Sequence, residues 1–426
     1  MNSRALISAS IGLAFSLNSL SAQSPLRPVK RVSETGTPIQ VAPIPANLVA
    51  TRSAGVPAAA RPTTPIPGAM PIAIRPFEGQ NGTVITQHLQ AALYESHTFQ
   101  LMNGGNGLPV ATGRVAPSYV EGTLIGPNGK SMFSRRYDSG NPRMDARRFA
   151  DDVTLRLTKR RGIASSQIAF VAPRGNSQSP EICLADADGN NLRQLTQDGG
   201  SNRAPSISAD GSRIVYTATG NGQATLLLYD MVDGSLTPLT QTPAAHAVGA
   251  LSPEGDSVVM AAGASPQEAD LFLISVKSGK SQQLTATPNA ERSPAWAPDG
   301  ESIVFSASDA SGQSSLYRMG LGRKAQAEPL QTGLAGAASP CWSPDGKRIA
   351  FSAIDPSNRV SAVFVLELEN GQVRKLAAGS EPAWGADSRH VAYVGKGGRH
   401  LIDTFSGTSR QIVGNLGLIT NPTWTR

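Results

Sequence analysis

The sequence predicts a mainly β chain: a six-bladed β-propeller preceded by a small α/β domain. Three observations carry that reading. All four tryptophans fall in one recurring phrase, Pro294-Ala295-Trp296, Pro340-Cys341-Trp342, Pro382-Ala383-Trp384 and Pro422-Thr423-Trp424. Their intervals are 46, 42 and 40 residues, and a bulky residue returning at roughly 40–45 positions marks a stacked unit of about four strands. A tight-turn signal then follows the phrase, as in Ala297-Pro298-Asp299-Gly300 and Ser343-Pro344-Asp345-Gly346. Asp-Gly accepts the positive φ of a hairpin and starts an antiparallel partner. Finally, the copy ending in Trp424 has no blade behind it, while the strand Ile168-Ala169-Phe170-Val171 has no first strand before it. The two halves make one blade if the chain closes into a ring, which an open β-solenoid or a string of hairpins does not explain.

Each blade is expected to follow one order. Second strands are Ile168–Val171, Ile214-Val215-Tyr216, Val258-Val259-Met260, Ile303-Val304-Phe305, Ile349-Ala350-Phe351 and Val391-Ala392-Tyr393. Apolar third strands and short fourth strands follow, with Gly again between them at Gly189, Gly234, Gly279 and Gly371. In blades two and three Ile207 and Leu251 stand where the others have tryptophan. The tryptophans read as blade-to-blade packing and the Asp-Gly aspartates as turn residues, not as paired general acids.

The propeller is expected over 166–426, a small α/β domain over 71–165, a Pro/Ala-rich disordered linker over 23–70 and a secretory signal peptide over 1–22. The signal reading rests on Arg4, the apolar run Ala5 to Leu17 and small residues at Ser19, Ser21 and Ala22. That run is short of the ~20 residues a membrane span needs. Residues 23–70 hold too few large apolar groups to offset the entropy of ordering them. In the α/β domain the pattern predicts a strand near Pro71–Phe77, a helix over 84–95 and a hairpin of 119–125 and 131–137 turning at Asn128-Gly129. A second helix is predicted over 142–158, with Pro142 in its first turn.

Charge divides along the same boundary. Residues 1–165 carry 18 Lys and Arg against 8 Asp and Glu, and the remainder 20 against 23. The net +7 of the chain thus belongs to its front end. No basic run is interleaved with aromatic residues, which argues against nucleic acid. The two cysteines, Cys183 and Cys341, map to blades one and five, which are not neighbours. They are expected to be buried and too far apart for a disulfide. No metal or cofactor is expected: the histidines (His88, His97, His246, His390, His400) show no ligand spacing and no EF-hand-type oxygen loop appears.

First strands of a propeller line its channel, and the segments entering them are expected to ring one mouth with exposed polar groups. The candidate partner-binding residues are Arg203, His246, Glu291, Arg292, Glu381 and Asn421. No catalytic residue is assigned. A peptidase of the propeller-plus-hydrolase type needs a Gly-x-Ser-x-Gly elbow, and none is present. The alternatives are a propeller that binds another protein, peptide or glycan, or a relic of a peptidase propeller.

The junction between the two parts is the most specific stretch. Arg148-Phe149-Ala150-Asp151 leads through Leu157-Thr158 and Gly162-Ile163 to Gln167–Val171, then to Leu184-Ala185-Asp186-Ala187-Asp188-Gly189-Asn190. With Pro-Ile-Ala-Ile-Arg-Pro-Phe at 71–77 and the closing Pro422-Thr423-Trp424, residues 71–426 resemble the TolB family, periplasmic components of the Tol–Pal system of Gram-negative envelopes. The resemblance implies a monomeric, non-enzymatic scaffold, peripheral to the outer membrane through its partner. That partner is a Pal-like peptidoglycan-associated lipoprotein held by the propeller, in support of outer-membrane integrity and cell division. It also implies a TolA-like partner for the mature N-terminus, but the proline-rich 23–70 has no counterpart to the family's short TolA-binding strand.

Overall fold

A computed structural model describes residues 68–173, 179–197, 200–220, 223–242, 246–265, 267–322, 325–414 and 420–425. The signal peptide and most of the linker expected from the sequence lie outside these residues.

The N-terminal domain is a five-stranded mixed sheet with two helices. Its elements are β1 (Met70–Ile74), α1 (Gly82–Glu95), β2 (Phe99–Met102), β3 (Val110–Ala116), β4 (Tyr119–Ile125), β5 (Ser131–Tyr137) and α2 (Pro142–Thr158). The sheet order is β2-β1-β3-β4-β5, with β1 parallel to both neighbours and the rest antiparallel. Ile72, Ile85, Leu89, Leu93, Phe149 and Val153 form its core, each buried to within 1%. The hairpin and α2 coincide with the sequence expectation. The α1 helix begins two residues earlier than expected, and β2 and β3 were not anticipated. Asn141 caps α2 by accepting from the backbone N–H of Arg143 and Met144, and Lys159 closes it in the left-handed region.

Six four-stranded antiparallel sheets follow. The innermost strands of blades two to six are Ser201–Ile207, His246–Leu251, Ala290–Trp296, Ala338–Trp342 and Ser380–Trp384. Blade one takes its innermost strand from the far end of the chain: Thr420–Trp424 pairs with Gln167–Pro173, with Trp424 opposite Ile168. Each innermost strand touches the next around the axis, and that of blade one touches both blade six and blade two. The ring is closed.

Packing shows why the phrase recurs. A core lies between each pair of consecutive blades, and the sixth joins blade six to blade one. Trp296, Trp342, Trp384 and Trp424 each sit in the core shared with the preceding blade, all at most 5% exposed. Ile207 and Leu251 occupy the same place in the two cores that lack tryptophan. After the phrase, Gly211, Gly255, Gly300 and Gly346 turn the chain at φ of 72–74°. Blade six puts Ser388 there instead, at φ 53°. Cys183 is buried, but Cys341 is only half-buried, because its face of the strand turns toward the channel; no disulfide joins the two.

The junction motif fastens the two domains. Arg147 of α2, 7% exposed, contacts Asp186 Oδ2 at 2.9 Å and also pairs with Asp188, while Arg143 Nη2 reaches Asp188 Oδ2 at 2.6 Å. Burial pushes the Asp188 carboxyl up, but Arg147, Asn190 and Arg143 together hold it below the usual carboxylate range. Gly189 completes the turn at φ 82°, where a Cβ would stand 1.8 Å from the Ile412 carbonyl oxygen of blade six. Only glycine fits that approach.

Candidate functional site at the propeller channel

The innermost strands share a defect that shapes the channel. In blades one, two, four, five and six the ladder to the second strand slips, so that two residues face one. The pairs are Ala204-Pro205, Ser293-Pro294, Ser339-Pro340, Glu381-Pro382 and Asn421-Pro422. The single residue opposite each is Tyr216, Phe305, Phe351, Tyr393 or Phe170, always aromatic. Ala204, Ser293, Ser339 and Glu381 all lie in the left-handed region, at φ 49–52°. Proline has no N–H to give the ladder and fits a sheet only at an edge or bulge, so the Pro before each Trp dictates the irregularity. Blade three has Gly249 in place of that proline, and its ladder from His246 to Leu251 is regular.

The result is a ring of bulges around a channel of about 190 Å³, lined in part by Ala204, Ser293, Ser339, Glu381 and Trp296. Non-glycine residues held in the left-handed region cost free energy and tend to cluster where a surface is functional.

Several expectations about individual residues are corrected. The candidates, expected in the segments that enter the innermost strands, lie within the first three residues of those strands. Glu291, expected as an exposed charge, is 2% exposed: its carboxylate accepts from the Thr287 hydroxyl inside the blade. Burial, with the Asp270 charge, raises its carboxyl. Among the described residues Arg203 is exposed, its guanidinium on Ser201 Oγ at 2.9 Å, and Arg292 is half-buried one residue before the bulge. Glu381 is half-buried, is itself the left-handed residue, and lines the channel. His246 is the first residue of the innermost strand of blade three and Asn421 the second of that of blade one; their side chains lie outside the described residues. Thus Glu381 lines the cavity, and Arg203 and Arg292 each precede a bulge residue that lines it, Ala204 and Ser293.

Buried polar groups lie behind the rim. Asn202, fully buried, donates to Glu181 Oε2 at 3.0 Å, and the Thr196 hydroxyl donates to the same oxygen. In blade six Arg399 is fully buried with its guanidinium over the Phe170 ring. Burial lowers its pKa, and the nearby Glu381 charge opposes that shift. None of these was singled out from sequence, because an isolated Arg, Glu or Asn on a strand carries no pattern that marks it as buried.

Residues 155–426 match the family model of the TolB beta propeller domain. The chain belongs to the TolB β-propeller family. It is 30% identical to a protein TolB homolog of Chlorobium chlorochromatii over 156 residues, 34% of this chain and 35% of that protein. It is 28% identical to the Tol-Pal system protein TolB of Bordetella avium over 198 residues, 40% and 44% of the two chains. The matched segments thus span less than half the length of these relatives. The crystal structure of TolB from Acinetobacter baumannii superposes with a TM-score of 0.72 at 20% identity, covering 84% of this chain and 96% of that one. That likeness shows a shared TolB fold. No helix among the described residues is long and apolar enough to cross a membrane.

Proposed function

We propose that this chain is a non-enzymatic periplasmic scaffold of a Tol–Pal system. In this reading its propeller mouth holds the periplasmic domain of a Pal-like lipoprotein, and the complex supports the outer membrane and its constriction at division. Membership in the TolB family and the likeness to the Tol-Pal system protein TolB of Bordetella avium favour that system. One observation supports the site: the bulges surround a channel lined by Glu381 and by Ala204 and Ser293, the residues that follow Arg203 and Arg292. Such a surface is preorganised, with little entropy left to lose on binding. It offers charge of both signs, which suits recognition of a polar protein surface.

The test is binding of the purified chain to the periplasmic domain of the Pal protein from the same organism, by calorimetry. Arg292→Glu and Glu381→Arg are each expected to weaken the complex at least tenfold; Arg292→Glu should melt like the parent, and Glu381→Arg, which removes the charge near buried Arg399, should fold but melt lower. Unchanged affinity in both variants would refute the site. Absence of any complex would refute the partner.

A further inference from the structure

Away from the channel, the seam between the N-terminal domain and blade six brings two histidines and an aspartate together. His97 follows α1 in the left-handed region at φ 50°. His390 and Asp403 face each other across the second and third strands of blade six, His390–Gly395 and Gly398–Asp403. Each residue offers one ligand atom, and the three atoms lie within 4.8 Å of one another. His97 and His390 are 293 positions apart, so no spacing in the sequence could announce them.

The nitrogens are set up as ligands. His390 is 1% exposed, and its Nδ1 is engaged by Asp387 Oδ2 at 2.6 Å. Its other ring nitrogen, Nε2, is buried and makes no hydrogen bond. A carboxylate on one imidazole nitrogen fixes the tautomer that leaves the other bare, the arrangement usual behind metal-binding histidines. In the second imidazole, His97 Nδ1 is likewise buried without a hydrogen bond and lies at ion-pair distance, 3.7 Å, from Asp403 Oδ2. Asp403 is steadied by Arg389, whose Nε and Nη2 lie 2.9 and 2.7 Å from its two oxygens, by the Phe405 N–H and by the Ser406 hydroxyl. Buried polar atoms are rarely left unsatisfied, and two unsatisfied imidazole nitrogens converging with a carboxylate point to an absent third party.

We propose that His97, His390 and Asp403 form a binding site for a divalent transition-metal ion of the zinc class, which clamps the N-terminal domain to blade six. Two imidazoles and a carboxylate suit zinc, cobalt, nickel or copper rather than the all-oxygen preferences of calcium and magnesium. A tetrahedral ion with bonds of about 2.0–2.1 Å needs its ligand atoms roughly 3.3 Å apart. The His97–Asp403 separation of 3.7 Å is close to that. His97, on a turn and 17% exposed at its side chain, can close the remaining gap and leaves a fourth position open to water. Arg389 opposes the cation, while Asp387 and Asp403 supply two negative charges against it.

The test uses the full mature chain without a histidine tag, stripped with chelator and titrated with Co²⁺ and Zn²⁺. One equivalent of Co²⁺ is expected to give the intense visible bands of a tetrahedral site, and Zn²⁺ to displace it. At a hundredfold excess over its Kd, zinc should raise the ratio of folded to unfolded protein about a hundredfold. His97→Gln, at a half-exposed turn, is expected to keep the circular dichroism of the parent and lose binding; Asp403→Asn should weaken it at least tenfold. Absence of stoichiometric binding, or binding of equal affinity in His97→Gln, overturns the proposal.

Discussion

Removal of Trp424 tests ring closure directly. The residue is 4% exposed in the core between blades six and one, and its Nε1 donates to Ser166 Oγ at 2.6 Å. A buried aromatic side chain removes roughly 150–250 Å² from water, worth about 4–6 kcal/mol at ~25 cal/mol per Å². Alanine retains a small part of this, and the lost hydrogen bond adds about 1 kcal/mol. Trp424→Ala is therefore expected to cost about 4–5 kcal/mol, near the top of the range for such truncations. Deletion from Thr420 onward should cost more. It also removes the ladder to Gln167–Pro173 and the bond from the Gln167 N–H to Thr425 Oγ1 at 2.9 Å, and it opens a sheet edge. The assay is denaturant unfolding, with limited proteolysis of the region near residue 168 as a second readout. Trp296→Ala, equally buried between blades three and four, is the control. An unchanged midpoint and unchanged proteolysis in the deletion variant would show that the far end of the chain does not complete blade one.

Other predictions follow from the seam, the bulges and the surface. Arg147→Met should destabilise by roughly 3 kcal/mol, because it leaves the buried Asp186 without a cation while Asp188 keeps Arg143; a midpoint shift under 1 kcal/mol would remove Arg147 as the anchor. Ser339→Val should cost about 1–2 kcal/mol, since a β-branched residue resists the left-handed region, whereas Ser339→Gly should be near neutral; equal melting of the two would discount strain at the bulge. The Lys375 ammonium, 2.5 Å away, and then Ser357 hold the Asp355 carboxyl down at about 2. A carboxyl depressed in the folded state stabilises above its unfolded pKa of about 3.9, and that contribution fades as pH falls toward 2. The melting difference between the parent and Lys375→Met should accordingly be full at pH 5–7 and vanish near pH 2. A difference independent of pH would assign the effect to packing of the lysine stem.

Repeated, local signals were legible in the sequence alone. The Pro-x-Trp phrase and its Asp-Gly turns reported blade number and strand order, because each blade solves the same packing problem with the same residues. The unmatched strands at the two ends reported closure for the same reason. Within the α/β domain the hairpin and α2 were legible from turn chemistry and apolar spacing. The strands β2 and β3 were not: β2 is four residues long, and Gly113 and Arg114 interrupt the apolar pattern of β3. The proline before each tryptophan was visible, yet only the register of the ladders turned it into a ring of bulges. Whether Glu291 faces solvent or Thr287 depends on which side of a strand meets the neighbouring blade. The meeting of His97 with His390 and Asp403 depends on how one domain seats on another. Periodicity encodes what neighbours along the chain do together; contacts between residues hundreds of positions apart are decided by the closing of the ring and the docking of the domain upon it.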